Sequence, residues 1–369
     1  MRVGTSAVRF AALASVSSVV LALSGLPAYA DQYRNAQWYL KALRVEDAQR
    51  LTEGAGVTVA VIDTGVMASH PDLKGAVLPG SNVLGDGGDG RMDPSGHGTQ
   101  MAGIIAARGR SGSRGVLGIA PQAKVLPVRP ADGALLASKA IEWSVAHGAK
   151  VISMSFAIAG SDGLANAVKA AAAADVVLIA GSGNDGEQDS TNRYPGAYPE
   201  VLAVGAVDRN GKVAKFSTQG SQVAITAPGV DIPVADGHYP SGYAIVDGTS
   251  PATAIVAGAA ALIRAKYPKL SAAQVVERLT STAVDRGPPG RDDVYGYGEL
   301  NLMAALTAKA SNEPTTAGPT VTDAPPESQP DSDDGGSGIP PIMIIGIGVV
   351  VLVGAVAAVF IAVRRSHGA

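Results

Sequence analysis

Four side chains in this 369-residue sequence have the types needed for acyl transfer: Asp63, His97, Ser250 and Asn184. Asp63 closes an apolar run over 57–62 and is followed by Thr64 and Gly65, so a turn behind it can hold its carboxylate beneath an imidazole; an Asx turn is the structural alternative. His97 stands in Gly96-His97-Gly98-Thr99, where small neighbours let another backbone come close. Of the five histidines, His367 lies beyond an apolar C-terminal stretch, while His70, His147 and His238 lack this setting and read as surface or packing residues. Ser250, in Gly248-Thr249-Ser250-Pro251-Ala252, opens a predicted helix of small residues. A serine hydroxyl becomes nucleophilic when a base takes its proton, and a helix N-terminus offers N–H groups and a positive dipole end to the oxyanion that develops. An N-cap serine is the alternative. Asn184, in Gly183-Asn184-Asp185-Gly186, can donate its amide to the same oxyanion or shape a turn.

Positions so far apart in sequence need a scaffold that gathers them. Apolar, β-branched runs at 57–62, 125–128, 151–155, 176–180 and 201–207 predict buried strands, and the small-residue stretches 97–107, 138–147, 164–174, 251–266 and 272–282 predict helices. This alternation predicts an α/β fold with an open, mostly parallel sheet and helices on both faces. Ligands of such sheets gather at the carboxyl ends of strands, and both Asp63 and Asn184 follow predicted strands.

The motifs Val61-Ile62-Asp63-Thr64-Gly65, Gly96-His97-Gly98-Thr99, Gly183-Asn184-Asp185-Gly186 and Gly248-Thr249-Ser250 together resemble those of the subtilisin family of serine peptidases, in the family's order of Asp, His and Ser. The resemblance covers about 57–306. It implies a subtilisin-like fold with Ser250 as nucleophile, His97 as base and then acid, Asp63 orienting the imidazole, and Asn184 binding the oxyanion. It also implies a polypeptide substrate, lying as an added strand between Ser155, Phe156 and Ala157 on one side and Ala180, Gly181, Ser182 and Gly183 on the other, with no cofactor and no metal in the chemistry. Three departures stand out. Gln100 replaces the histidine that usually follows Gly-Thr, which changes a local hydrogen bond; Ala157 replaces a glycine, adding a methyl group to the substrate strand; and Pro251 follows the nucleophile. Proline suits a first helical position, yet it disfavours helical angles in the residue before it.

A narrower resemblance is to mycosins, the membrane subtilases associated with type VII secretion in actinobacteria. It rests on Gln37-Trp38-Tyr39-Leu40 before the first strand, on the lack of a long pro-domain and on an apolar C-terminal span, although the paired cysteines common in that group are absent. It implies a type VII secretion membrane complex as a partner. It also raises a non-enzymatic alternative, a subtilase-shaped scaffold that stabilises such a complex without proteolysis.

The layout predicts a signal peptide over 1–30, with basic Arg2 and Arg9, an apolar run over 10–23 and the small-residue site Ala28-Tyr29-Ala30. An extension at 31–56 precedes the peptidase domain at 57–311, and the sequence leaves open whether that extension is removed, covers the cleft or braces the body. A Pro/Ser/Asp-rich linker at 312–341 leads to the uncharged apolar stretch 342–363, long enough to cross about 30 Å of bilayer as a helix. Arg364 and Arg365 predict a cytoplasmic tail at 364–369 and an extracellular domain, hence a single-pass protein of the cell membrane. With 46% apolar and 17% charged residues the chain can bury a full core, and a net charge of -3 gives no field for nucleic acid. The absence of cysteine excludes disulfides and thiol chemistry. The loop 85–93 holds Asp86, Asp89 and Asp93 without a recognised calcium-ligand spacing and reads as a flexible insertion.

Overall fold

The computed structural model describes residues 27–83, 87–110, 114–130, 134–186 and 193–309. Most of the expected signal peptide, the linker, the apolar stretch 342–363 and the tail lie outside the described residues. Among the described residues no helix is long and apolar enough to cross a membrane.

Three short helices, α1 (Pro27–Ala36), α2 (Trp38–Ala42) and α3 (Val45–Leu51), precede strand β1 (Thr58–Ile62). There follow β2 (Ser81–Asn82), α4 (His97–Ala106), the hairpin β3 (Arg108–Arg110) and β4 (Arg114–Leu117), and β5 (Lys124–Arg129). The α/β alternation continues with α5 (Ala134–Ala146), β6 (Val151–Met154), α6 (Asp162–Ala173), β7 (Val177–Gly181), β8 (Val201–Val207) and β9 (Val223–Pro228). A hairpin of β10 (Ile232–Ala235) and β11 (Tyr243–Val246) leads into α7 (Thr249–Lys266), α8 (Ala272–Ser281) and α9 (Leu302–Thr307).

The main sheet has seven strands in the order β2-β5-β1-β6-β7-β8-β9, all paired in parallel. Side chains alternate across it as a two-residue period requires: Val59 and Val61 enter one core, Ala60 and Ile62 the other. Residues of α4, α7, α8 and α9 fill the first core, and those of α5 and α6 the second. The expected two-faced α/β architecture is therefore present. Chain order switches direction at β1, whose neighbours are β5 and β6, so the crevice at their carboxyl ends is the natural place for a site.

Some boundaries differ from expectation. Helix α5 begins at Ala134, upstream of Ser138, because the Ser138 hydroxyl donates back to Leu135 O at 2.7 Å inside the first turns and does not cap them. Strand β6 ends at Met154, which leaves Ser155 beyond the ladder. The extension is also more than an appendage: Tyr39, Leu43, Val45 and Ala48 are buried in the larger core, so the packed body begins well before residue 57.

Polar contacts fix the extension further. The Gln37 amide donates to Tyr39 Oη at 2.6 Å and to Leu117 O at 2.9 Å, and accepts from Leu117 N at 2.8 Å. Trp38 Nε1 donates to Val230 O at 3.1 Å, and Gln49 Nε2 to Gly118 O at 2.9 Å. Of the three fates open at the sequence level, these contacts support bracing. Replacing Gln37 by alanine strands two backbone groups of half-buried Leu117, and the expected loss of stability is about 1–3 kcal/mol in urea denaturation, with kcat on a peptide substrate unchanged. An unaltered midpoint would remove the bracing role.

Candidate active site

Asp63, the residue after β1, continues the ladder by donating its N–H to Val128 O at 3.0 Å, which holds its buried carboxylate at the carboxyl edge of the sheet. His97 is the first residue of α4. This helix can approach the turn after β1 because residue 98 is glycine: a Cβ there would lie 2.0 Å from Gly65 O. His97 Nδ1 donates to Asp63 Oδ1 at 2.7 Å and lies 2.9 Å from Oδ2. That bond selects the tautomer whose lone pair is on Nε2, the form that can accept a proton.

Burial of the imidazole disfavours its charge, but the Asp63 carboxylate, through its charge and its hydrogen bond, and the charge of Asp93 outweigh this and raise the His97 pKa above the ordinary 6.5. A catalytic base at His97 is expected to lose its function as pH falls through that raised value. The acid limb of kcat/KM is expected to inflect above 6.5, measured on a small peptide substrate across the pH range. The folding contribution of the pair has the opposite sense, being fully present below 6.5 and lost as pH rises through the folded value.

Ser250 sits inside the first turn of α7, which begins at Thr249 with Gly248 as N-cap. Serine 250 is thus not itself the cap. Pro251 falls at the third helical position and not the first, where its missing N–H still has no intrahelical partner to lose, and Ser250 is helical despite the proline after it. The Ser250 hydroxyl donates to Ser155 O at 3.3 Å, and the Ser155 hydroxyl donates in return to Ser250 O at 3.3 Å. In this structure the hydroxyl of the nucleophile candidate is therefore engaged by the Ser155 carbonyl.

Asn184 follows β7 and is exposed. Its Oδ1 accepts from Thr249 N at 2.9 Å and Thr249 Oγ1 at 3.1 Å, which turns Nδ2 outward as a free-facing donor beside the start of α7. Thr249 can come this close because residue 181 is glycine; a Cβ there would lie 2.8 Å from Thr249 Oγ1. The remaining candidates divide into two strips from neighbouring strand ends, since Met154 of β6 pairs with Ala180 of β7. Ser155, Phe156 and Ala157 are half-buried beyond β6, whereas Ala180, Gly181, Ser182 and Gly183 are buried.

Sequence reasoning missed the residues that hold these parts. Asp93 accepts five hydrogen bonds around the start of α4, and Thr64 and Thr99 relay others. Gln100, the departure after Gly-Thr, donates to buried Asp236 at 2.8 Å, and Asp236 also bonds His238 Nδ1 at 3.1 Å. The clue to Asp93 was its place four residues before His97. In the loop 85–93, Asp89 accepts from Arg91 and Asp93 accepts from the amides of Ser95, Gly96 and Thr99, while Asp86 lies outside the described residues. Among the described residues no group of three His, Cys, Asp or Glu is placed to hold a metal ion.

Residues 54–298 match the model of the Subtilase family. Subtilisin DY of Bacillus licheniformis is 42% identical over 262 residues, spanning 69% of this chain and 92% of that protein. The subtilisin of Bacillus pumilus is 40% identical over 261 residues, spanning 68% and 91%. Among solved structures, MycP1 from Mycobacterium smegmatis is similar at a TM-score of 0.67 and 29% identity, covering 78% of this chain and 89% of that one. The MycP3 protease from the type VII (ESX-3) secretion system is similar at 0.64 and 32%, covering 74% and 88%. The protein is thus a serine endopeptidase with a subtilisin-like α/β fold. It belongs to the subtilase family and is related to the MycP proteases of type VII secretion.

Proposed function

We propose that the chain hydrolyses peptide bonds through a triad of Asp63, His97 and Ser250. The observation that carries this reading is the bond of His97 Nδ1 to a buried Asp63 at 2.7 Å; it is supported by the pairing of β1 with β6, just beyond which Ser155 accepts a hydrogen bond from Ser250. Rotation of the Ser250 hydroxyl from Ser155 O to His97 Nε2 arms the nucleophile. Ser250 Oγ then adds to the scissile carbonyl carbon while its proton passes to Nε2, and Asp63 stabilises the imidazolium. The oxyanion takes hydrogen bonds from Asn184 Nδ2 and from Ser250 N, whose first-turn N–H has no helical acceptor. Collapse expels the amine, which takes the proton from His97, and leaves an acyl-enzyme; water, deprotonated by His97, repeats the addition and frees Ser250.

The peptide lies extended along Ser155, Phe156 and Ala157, with Gly181, Ser182 and Gly183 bordering it. The Ala157 methyl group narrows the pocket for the side chain before the cleaved bond. The apolar stretch 342–363 and its flanking arginines support a domain held outside the cell membrane by a single helix. Similarity to MycP1 and MycP3 supports work at a type VII secretion membrane complex, processing polypeptides there.

The test is labelling of the full chain with a fluorophosphonate, which reacts only with an activated serine. Specific labelling that disappears in Ser250→Ala is expected. A folded, unlabelled parent would sink the catalytic reading and favour the scaffold, whose mark is a secretion complex that assembles with Ser250→Ala but not without the domain.

A further inference from the structure

Helix α4 begins without a cap of its own. Its N-cap is Gly96, at φ 91°, with no side chain to accept from the free N–H groups of the first turn. His97 is the next residue, so any looseness at this end is looseness of the imidazole.

Two side chains from outside the helix supply the missing acceptors. Asp93 Oδ1 accepts from Gly96 N at 2.8 Å and Ser95 N at 3.1 Å, and Oδ2 accepts from Thr99 N at 2.8 Å. Thr99 is the third helical residue, the position an N-cap side chain normally serves. Gly98 N donates to Thr64 Oγ1 at 3.0 Å, and that hydroxyl donates on to Asp93 Oδ1 at 2.8 Å. The Thr99 hydroxyl donates to Asp93 Oδ2 at 2.6 Å while accepting from Met67 N at 2.8 Å. The amides of Ser95, Gly96, Gly98 and Thr99 all lie within three residues of His97, and they end on one carboxylate directly or through one hydroxyl. Thr64 is also the residue after Asp63, and its N–H donates to Asp63 Oδ1 at 2.7 Å, so the same network grips both partners of the imidazole pair.

Asp93 is only 4% exposed. Burial works against its charge, but the hydrogen bonds from Thr99, Thr64 and Gly96 prevail and hold its pKa below the ordinary carboxylate value. The charged or titratable groups facing His97 and its loop are Asp63 after β1, Asp93 ahead of α4, and Asp236 with His238 from the β10–β11 connection, which adjoin Gly96.

We propose that Asp93 is the positioning residue of the histidine: it acts as the absent N-cap of α4, fixing the ring between Asp63 and Ser250, and sets a second buried negative charge behind the imidazolium. Without it, only Asp63 would oppose the positive end of the helix, and the protonated form of His97 would be less favoured. This rests on the triad reading above.

The experiment compares the full chain with Asp93→Asn, Ser250→Ala, Thr64→Val and Thr64→Ser on one peptide substrate across pH. Asparagine keeps the shape but loses the charge and turns an N–H₂ toward a backbone donor. Asp93→Asn is expected to lower kcat by about 10- to 100-fold at near-constant KM. It is also expected to move the acid limb of kcat/KM downward by about one pH unit, a shift that a merely structural lesion would not produce. A folded Asp93→Asn with the parent's pH profile overturns the proposal. Where that variant does not fold, Thr64→Val takes its place: a fall in kcat restored by Thr64→Ser supports the network, and an unchanged kcat overturns it. Full activity in Ser250→Ala would bring down the triad reading itself, whereas an inactive Ser250→Ala beside an unaffected Asp93→Asn brings down this inference alone.

Discussion

Ser250→Ala and His97→Ala are each expected to lower kcat on a peptide substrate by about six orders of magnitude, the size of the loss in the related subtilisin, and the double variant is expected to be no worse than either. The reason is that in the proposed triad the two act as one unit. Without the base, the hydroxyl stays protonated and, in this structure, bonded to Ser155 O at 3.3 Å; without the hydroxyl, the base has nothing to activate but water. Folding should survive both changes, because Ser250 and His97 are only half-buried and α7 is held by the buried residues beyond its first turn. KM should change little, since the proposed peptide strips do not depend on either side chain. Additive losses in the double variant would mean that Ser250 and His97 do not share a proton, and the triad would have to be redrawn.

Asn184→Ala is expected to lower kcat by about 10²- to 10³-fold with KM almost unchanged, equivalent to about 2.7–4 kcal/mol of transition-state stabilisation, as for an oxyanion donor in subtilisin. The substrate carbonyl in its ground state makes little use of the Nδ2 donor, so the loss falls on the barrier. Asn184 Oδ1 also accepts from Thr249 N and Oγ1, so alanine removes two anchors at the start of α7 as well. Asn184→Asp separates these roles: it keeps the acceptor for Thr249 but replaces the donor with a negative charge, and it should be at least as inactive as alanine. An active Asn184→Asp would show that the side chain serves only to hold Thr249.

The central strands and the helices between them were legible in the sequence because buried parallel strands are short apolar runs and the intervening helices are rich in small residues. The four chemical motifs were legible for a related reason: each needs glycine or another small residue so that backbones can meet, and that need is written locally. Less was visible where structure depends on distant partners. The two-stranded hairpins of β3–β4 and β10–β11 are short and carry little periodicity of their own. Gln37 and Tyr39 read as part of an extension over 31–56, and their burial depends on partners far along the chain, among them the Leu117 backbone. Asp93 read only as part of a flexible loop, because its partners are three main-chain N–H groups and the hydroxyls of Thr64 and Thr99, which no local spacing announces. The direction of the Ser250 hydroxyl likewise depends on the carbonyl at the end of β6 and not on its neighbours in sequence.

The strand order carries a consequence for when the enzyme comes to exist. β1 lies between β5 and β6, and the helix bearing Ser250 is packed in the core only after β9 and the last hairpin have been added. Contacts of such long range close late, because the loop entropy must be met before they reward the chain. With Ser250 as the proposed nucleophile, a chain that stops short of α7 is expected to carry Asp63 and His97 without it, so the proposed triad is complete only once nearly the whole domain has been added.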